Sequence, residues 1–246
     1  MRILLINANT TQAITDRCAA SARATASSGT EIVPVTASRG PKVIGTRAEN
    51  ALGAATIIEL LAEHAGSCDA AVIAVSFDTA LDAAREAALF PVVGMTEAAL
   101  HAAAMLGGPI GFIGPVRRVL NVYRDVVTRT GLGGRIAGYR PLDMRPQDFI
   151  DPANMIGPTV ALAKDLIEQD HAESIVVAGA ALAGLIDRVQ AEVPVPVIDG
   201  ISAGVVMAEA LVRLGRPKAS AGSHAQLPKR EVTGLGEPVR RLFDQD

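Results

Sequence analysis

The feature that most constrains this chain is a strand-then-helix series that runs through four units and then starts again. Short apolar runs at 2–6, 31–35, 70–75 and 91–94 alternate with longer amphipathic stretches at 11–27, 48–64, 81–89 and 96–106. The series restarts with runs at 109–113, 135–139, 173–178 and 195–198, alternating with 116–130, 158–168, 182–189 and 202–214. Strands separated by helices pair in parallel through right-handed crossovers, which predicts an α/β architecture. The residues echo as well. Ala71-Val72-Ile73-Ala74-Val75 is matched by Ser174-Ile175-Val176-Val177-Ala178, and Pro91-Val92-Val93-Gly94 by Pro196-Val197-Ile198-Asp199. A repeat of this length is domain-sized, so the reading is a two-copy duplication and not a solenoid. We expect two pseudo-symmetric Rossmann-like halves with parallel sheets and an active site in the cleft between them. The first half covers 1–106, completed by about 207–246, and the second covers 107–206. The polar stretch 220–246 reads as a docked or loose tail, with Phe243 as its candidate anchor.

Bulk properties close off several function classes. The 246 residues, 49% hydrophobic and 20% charged, suffice for a real core in each half. A formal net charge of −3 gives no general attraction to nucleic acid or to a membrane surface. No run approaches the ~20 apolar residues of a membrane span, and the opening Met1-Arg2-Ile3-Leu4-Leu5-Ile6 is too short for a signal peptide, so a cytoplasmic protein is expected. Cys18 and Cys68 suggest neither a disulfide framework nor a zinc site, and the four histidines are scattered. With no G-x-G-x-x-G and no G-x-x-x-x-G-K-[ST], no metal and no cofactor are expected.

In parallel sheets, ligands gather beyond the carboxyl ends of the strands. That points to the loops 7–11, 75–79, 113–116 and 178–182. Asn9, Thr10 and Thr11 offer an amide, hydroxyls and helix-start N–H groups to a carboxylate or ring carbonyl, or are ordinary helix caps. Ser76 is a candidate oxyanion donor, or a nucleophile if a base lies nearby. Asp78 and Thr79 divide between site and cap. Gly114 and Pro115 mirror the first loop, while Gly179 and Ala180 leave space and exposed N–H groups. Glu97 is a candidate general base or a carboxylate favoured by a helix dipole, with His101 one turn further on. Arg47 lies in a connection long enough to cover a site, and is a candidate clamp for a substrate carboxylate or a solvated surface residue. Tyr123 reads as packing, and Asp199 as a cap of the last helix or a hydrogen-bonding cleft residue.

Ile6-Asn7-Ala8-Asn9-Thr10-Thr11, Asp78, Leu81-Asp82-Ala83-Ala84-Arg85-Glu86 and the two Pro-Val strand ends together resemble the aspartate/glutamate/hydantoin racemase superfamily, most closely its hydantoin and allantoin racemase branch. The likeness runs from about residue 1 to 225. It implies the two-half fold and a cyclic amide ligand. It also implies two catalytic cysteines, one removing and one returning a proton on opposite faces of a carbanion. The positions that resemble them hold Val75 (or Ser76, if the loop shifts by one) and Gly179, which cannot do that work.

The expectation is therefore a cofactor-independent, cytoplasmic, homo-oligomeric enzyme acting on a small hydantoin-like or thiohydantoin-like ring bearing a carboxylate. With the cysteines absent, the expected reaction is hydrolysis of a ring C–N or C–S bond. Racemisation by non-thiol bases, decarboxylation of a malonate-type acid and ligand binding without catalysis are the alternatives. The expected catalytic residues are Ser76, Asp78, Glu97 and His101. The expected binding residues are Asn9, Thr10, Thr11, Arg47, Val75, Thr79, Gly114, Pro115, Gly179 and Ala180.

Overall fold

The computed structural model describes residues 1–149 and 151–244. In the first half β1 (Arg2–Asn7), β2 (Glu31–Thr36), β3 (Ala70–Ile73) and β4 (Val92–Gly94) form one parallel sheet, ordered β2-β1-β3-β4. The helices that follow them are α1 (Gln12–Thr25), α2 (Arg47–His64), α3 (Leu81–Ala87) and α4 (Met95–Leu106). The second half repeats the plan. Its strands are β5 (Ile110–Gly114), β6 (Ile136–Pro141), β7 (Ser174–Val177) and β8 (Val197–Asp199), in the order β6-β5-β7-β8. Its helices are α5 (Leu120–Arg129), α6 (Ile156–Asp170), α7 (Ile186–Gln190) and α8 (Gly200–Leu214). In each sheet the chain reverses its direction of winding between the two central strands, which places a crevice at the ends of β1 and β3 and another at the ends of β5 and β7.

The last helix of each half crosses to the other. α4 packs on β7 and β8 as well as on β4, and α8 packs on β3, β4 and α1. The two helices start back to back. A Cβ on Gly200 would lie 2.5 Å from the Met95 carbonyl oxygen, so the approach needs a glycine. One buried cluster consequently runs through both halves, from Ile3, Leu5 and Val72 through Leu100 and Ile201 to Phe112 and Val176. A buried carboxylate joins the same layers: Glu209 on α8 accepts from Ser27 N–H at 2.9 Å and from the Ser27 and Thr30 hydroxyls at 2.6 Å each.

Element boundaries moved for local reasons. α6 begins two residues before the expected Pro158, because proline is tolerated in a helix's first turn. The expected helix 182–189 is split. Residues Ala180–Leu182 make a 3-10 turn, Gly184 follows at φ +79°, and only Ile186–Gln190 is α-helical. The tail carries a short helix, α9 (Glu237–Phe243), docked on α2 through buried Val239 and Leu242, with Phe243 only half-buried. Lys218 Nζ donates to the carbonyls of Arg85, Glu86 and Ala88, tying the tail to the end of α3. Among the described residues, no helix is long and apolar enough to cross a membrane.

Candidate active site

Loops from the carboxyl ends of β1, β3, β5 and β7 meet around one narrow cavity of about 60 Å³. At ~10–15 Å³ for each water-sized occupant, that space suits a small ring. Asn9, Val75, Ser76, Pro115, Gly179 and Ala180 all line it. The two loops that face each other leave their sheets in the same way: Ala74 N–H bonds to the Ile6 carbonyl, and Ala178 N–H to the Ile113 carbonyl.

Asn9 is held by a buried amide network. Its Oδ1 accepts from Asn7 Nδ2 at 3.1 Å and from Thr11 N–H at 3.0 Å, while Asn7 Oδ1 accepts from Asn9 N–H. Asn7 Nδ2 also reaches the Thr15 hydroxyl at 2.9 Å. With Oδ1 committed, the orientation of the Asn9 amide is fixed and its Nδ2 is the group left for the cavity. Val75 opens a tight turn closed by Asp78 N–H on the Val75 carbonyl, which turns Ser76 inward. The Ser76 hydroxyl lies 2.7 Å from the Tyr123 hydroxyl. Tyr123 is buried against Phe77 and Phe112, and burial raises its phenol above the ordinary range although the Ser76 hydrogen bond works against that. Gly179 has φ +123° and ψ 111°, a backbone that a side-chain-bearing residue rarely adopts.

Several residues missed by sequence reasoning complete the wall. Tyr123 read as packing because it sits among Val119, Val122, Val126 and Val127 at helical spacing; only the fold reveals where its hydroxyl goes. Val43, Ile44 and Gly45 cover the cavity from the loop 37–46. An apolar pair in a polar loop was a legible signal for such a cover. That loop is pinned by a capping box, Thr46 with Glu49, and by bonds from Thr10 and Thr11 after β1.

Other expected site residues lie elsewhere. Thr10 N–H bonds to the Pro41 carbonyl and the Thr11 hydroxyl to the Lys42 carbonyl, so both anchor the covering loop and do not line the cavity. Thr79 is buried, donating to Asn50 Oδ1 at 2.6 Å. Gly114 packs under Leu120 and does not line the cavity. Arg47 is exposed and paired with Asp125 on α5, which corrects its reading as a carboxylate clamp. Glu97 forms an ion pair with Arg85, and His101 is one turn further along α4; neither lines the cavity, so neither is placed to act as its base. Asp78 is buried, with its two oxygens accepting from Thr96 and Glu97 N–H at 2.9 and 2.8 Å. It caps α4, as Asp199 caps α8. Burial pushes the Asp78 carboxyl up to about 7 against the pull of those two N–H groups.

Asp78, Arg85 and Glu97 instead border a second cavity of about 460 Å³, which shares Phe77 with the first. The smaller cavity is the candidate active site, because it alone gathers the ends of the four central strands. Its chemistry is neutral. Tyr123 is the one titratable side chain among the described residues that line it. Cys18 lies just behind, its Sγ 3.4 Å from the Ala180 carbonyl oxygen, and burial pushes the thiol up to about 12. That holds it as a packing thiol and not a reactive thiolate. Among the described residues, no group of three or more His, Cys, Asp or Glu could hold a metal ion.

Known proteins share this sequence pattern and fold. The profile of the Asp/Glu/Hydantoin racemase family matches residues 3–208. A hydantoin racemase of Pseudomonas sp. (strain NS671) is 35% identical over 98% of both chains. One of Paenarthrobacter aurescens is 33% identical over 94% of this chain and 99% of its own. The solved allantoin racemase of Klebsiella pneumoniae superposes with a TM-score of 0.92 at 31% identity, covering 97% of this chain and 98% of that one.

Proposed function

The chain belongs to the Asp/Glu/hydantoin racemase family, and from that premise we propose that it is an isomerase of hydantoin-class cyclic amides that works without thiols. One observation carries the reading: the cavity offers neutral hydrogen-bond donors on apolar walls, and no carboxylate, amine, imidazole or thiol among the described residues that line it. Such a lining suits a flat neutral ring. Loss of the proton from the substituted ring carbon gives a planar anion, with charge on the neighbouring carbonyl oxygen. The Asn9 amide and the Ser76–Tyr123 hydroxyl pair favour that anion over the neutral ring. A single donor of this kind contributes about 10²–10³ in rate. The proton leaves to water and returns from water to either face. Positioned acid–base groups typically contribute ~10²–10⁴. Turnover is therefore expected to be slower by about that factor than the two-thiol mechanism the family resemblance implies.

Ring hydrolysis, the expectation drawn from the missing cysteines, is not supported. Relatives that match this chain over nearly its whole length are named racemases. Arylmalonate decarboxylases at 18% identity and a TM-score of 0.60 share the fold alone. A second reading, ring binding without turnover, rests on Val75 and Gly179. The proposal also takes the protein as a cytoplasmic homo-oligomer, an assembly supported by exposed Met105, Leu106, Val206 and Leu214 on the neighbouring helices α4 and α8.

The test is incubation of single enantiomers of 5-substituted hydantoins in deuterium oxide, followed by chiral separation and mass analysis. Loss of optical purity with gain of one deuteron supports the isomerase. Ring-dependent thermal stabilisation without exchange supports the second reading. Addition of one water would overturn both.

A further inference from the structure

The second cavity is larger than the candidate active site and is not used by the proposed chemistry. It is walled by both halves, with Asn50 from α2, Asp82 and Arg85 from α3, Glu97 from α4 and Arg129 from α5. Its charges sort into spent and available groups. Arg85 and Glu97 neutralise each other through a two-point ion pair. Asp78 is buried and held by two backbone N–H groups. Arg129 donates to the Phe77 carbonyl at 3.4 Å and lies near enough to buried Asp78 to favour its charged form, but forms no ion pair among the described residues. Asp82 stands exposed in the first turn of α3. Asn50 Oδ1 is taken by the Thr79 hydroxyl, which leaves its Nδ2 as a donor. The cavity thus presents one guanidinium, one amide donor and one carboxylate, on walls that come from different elements.

We propose that this cavity is a second small-molecule site whose ligand is a small zwitterion of the α-amino-acid class. Its carboxylate is taken by Arg129 and the Asn50 amide, and its ammonium group by Asp82. A guanidinium is suited to a carboxylate, which it can meet with two parallel N–H bonds. A ligand carrying only one of the two charges leaves one available group unmatched, so the pattern selects against simple carboxylates and simple amines. The site stands independently of what occupies the smaller cavity.

The experiment is a thermal-shift and calorimetric titration of the whole chain with alanine, propionate and propylamine at constant ionic strength. Alanine is expected to bind and to raise Tm, and the other two to bind about tenfold more weakly or less. Arg129→Gln and Asp82→Asn should each weaken alanine binding about tenfold or more, while Ala180→Leu, which fills the smaller cavity, should leave it intact. If Arg129→Gln fails to fold, Asn50→Ala and Asp82→Asn carry the same test. Absence of alanine binding, or binding that survives Arg129→Gln or disappears in Ala180→Leu alone, overturns the proposal.

Discussion

Returning a thiol to one face of the cavity at a time separates ring placement from proton transfer. Val75→Cys exchanges one buried small side chain for another at a position 5% exposed, so it is expected to fold with little change in stability. If the ring lies against residue 75, the new thiol gains access to one face of the ring carbon. A positioned acid–base group is worth about 10²–10⁴ in rate. Deuterium exchange of a hydantoin ring proton should then rise by roughly that factor, with exchange outpacing inversion because the opposite face still has no partner. Adding Gly179→Cys should bring inversion up to exchange, at a cost. A non-glycine residue forced to φ +123° costs ~1–3 kcal/mol. At ~2–4 °C per kcal/mol for a chain of this size, Tm should fall by roughly 2–12 °C. The assays are proton NMR exchange in deuterium oxide, chiral chromatography of the same samples and thermal unfolding. A Val75→Cys variant that still binds the ring, has a free thiol and shows no faster exchange would refute the placement of the ring against the β3 loop.

Three further outcomes follow from the same geometry. Tyr123→Phe removes the partner of the Ser76 hydroxyl at a hydrogen bond worth ~0.5–1.5 kcal/mol, and should slow isomerisation more than it lowers Tm, measured by parallel rate and unfolding assays. Asp78 has a folded-state pKa raised from 3.8 to about 7 by burial, so the unfolded chain gives up that proton first and the group's contribution to stability falls as pH rises from about 4 to about 7; Asp78→Asn should flatten this part of the pH–Tm curve while leaving one of the two α4 N–H groups without an acceptor, at ~1–3 kcal/mol. Arg47→Ala breaks only an exposed pair with Asp125 and should change stability by less than ~1 kcal/mol and leave ring affinity unchanged, by chemical denaturation and calorimetry.

The two sheets were legible because each strand is a short apolar run bounded by helix-like stretches, and the repeated Pro-Val ends marked the duplication. The crossing of α4 and α8 was not, since each reads locally as the last helix of its own half. Only tertiary packing decides which sheet it covers, and that decision rests on close contacts such as Gly200 on Met95. The site divides along the same line. Asn9, Ser76, Val75 and Gly179 follow from strand order, because the carboxyl ends of central strands must face the crevice. Glu97 and Arg47 were candidates for their charge and their place near a strand end or a long loop, and their partners, Arg85 and Asp125, lie on elements that sequence spacing does not connect to them. Tyr123 was hidden by its neighbours' hydrophobicity, since an aromatic in a helical valine stripe has the pattern of core whatever its hydroxyl touches.

The parts of the cleft that hold a ring and the parts that would move a proton are built from different physical elements. In the proposed reading, recognition rests on strand-end backbone and on the Asn7–Asn9–Thr15 network, which is buried, mutually hydrogen-bonded and independent of the side chains at 75 and 179. Removing one member of such a network leaves its partners unsatisfied in a low-dielectric interior, so it resists piecemeal change. The proton-transfer positions have no such support. Val75 contributes only apolar packing, to the buried cluster of Ile6, Ala8 and Ile57, and Gly179 has no side chain and a backbone that other residues rarely adopt, so neither position is part of a hydrogen-bonded side-chain network. A fold organised in this way can exchange its acid–base groups and keep its ligand class. The same division predicts that Asn7→Ala, three-dimensionally one step removed from the ring, should abolish ring binding, whereas Val75→Ala should leave it nearly unchanged. Equal losses of affinity in the two variants would show that recognition and chemistry share one set of residues after all.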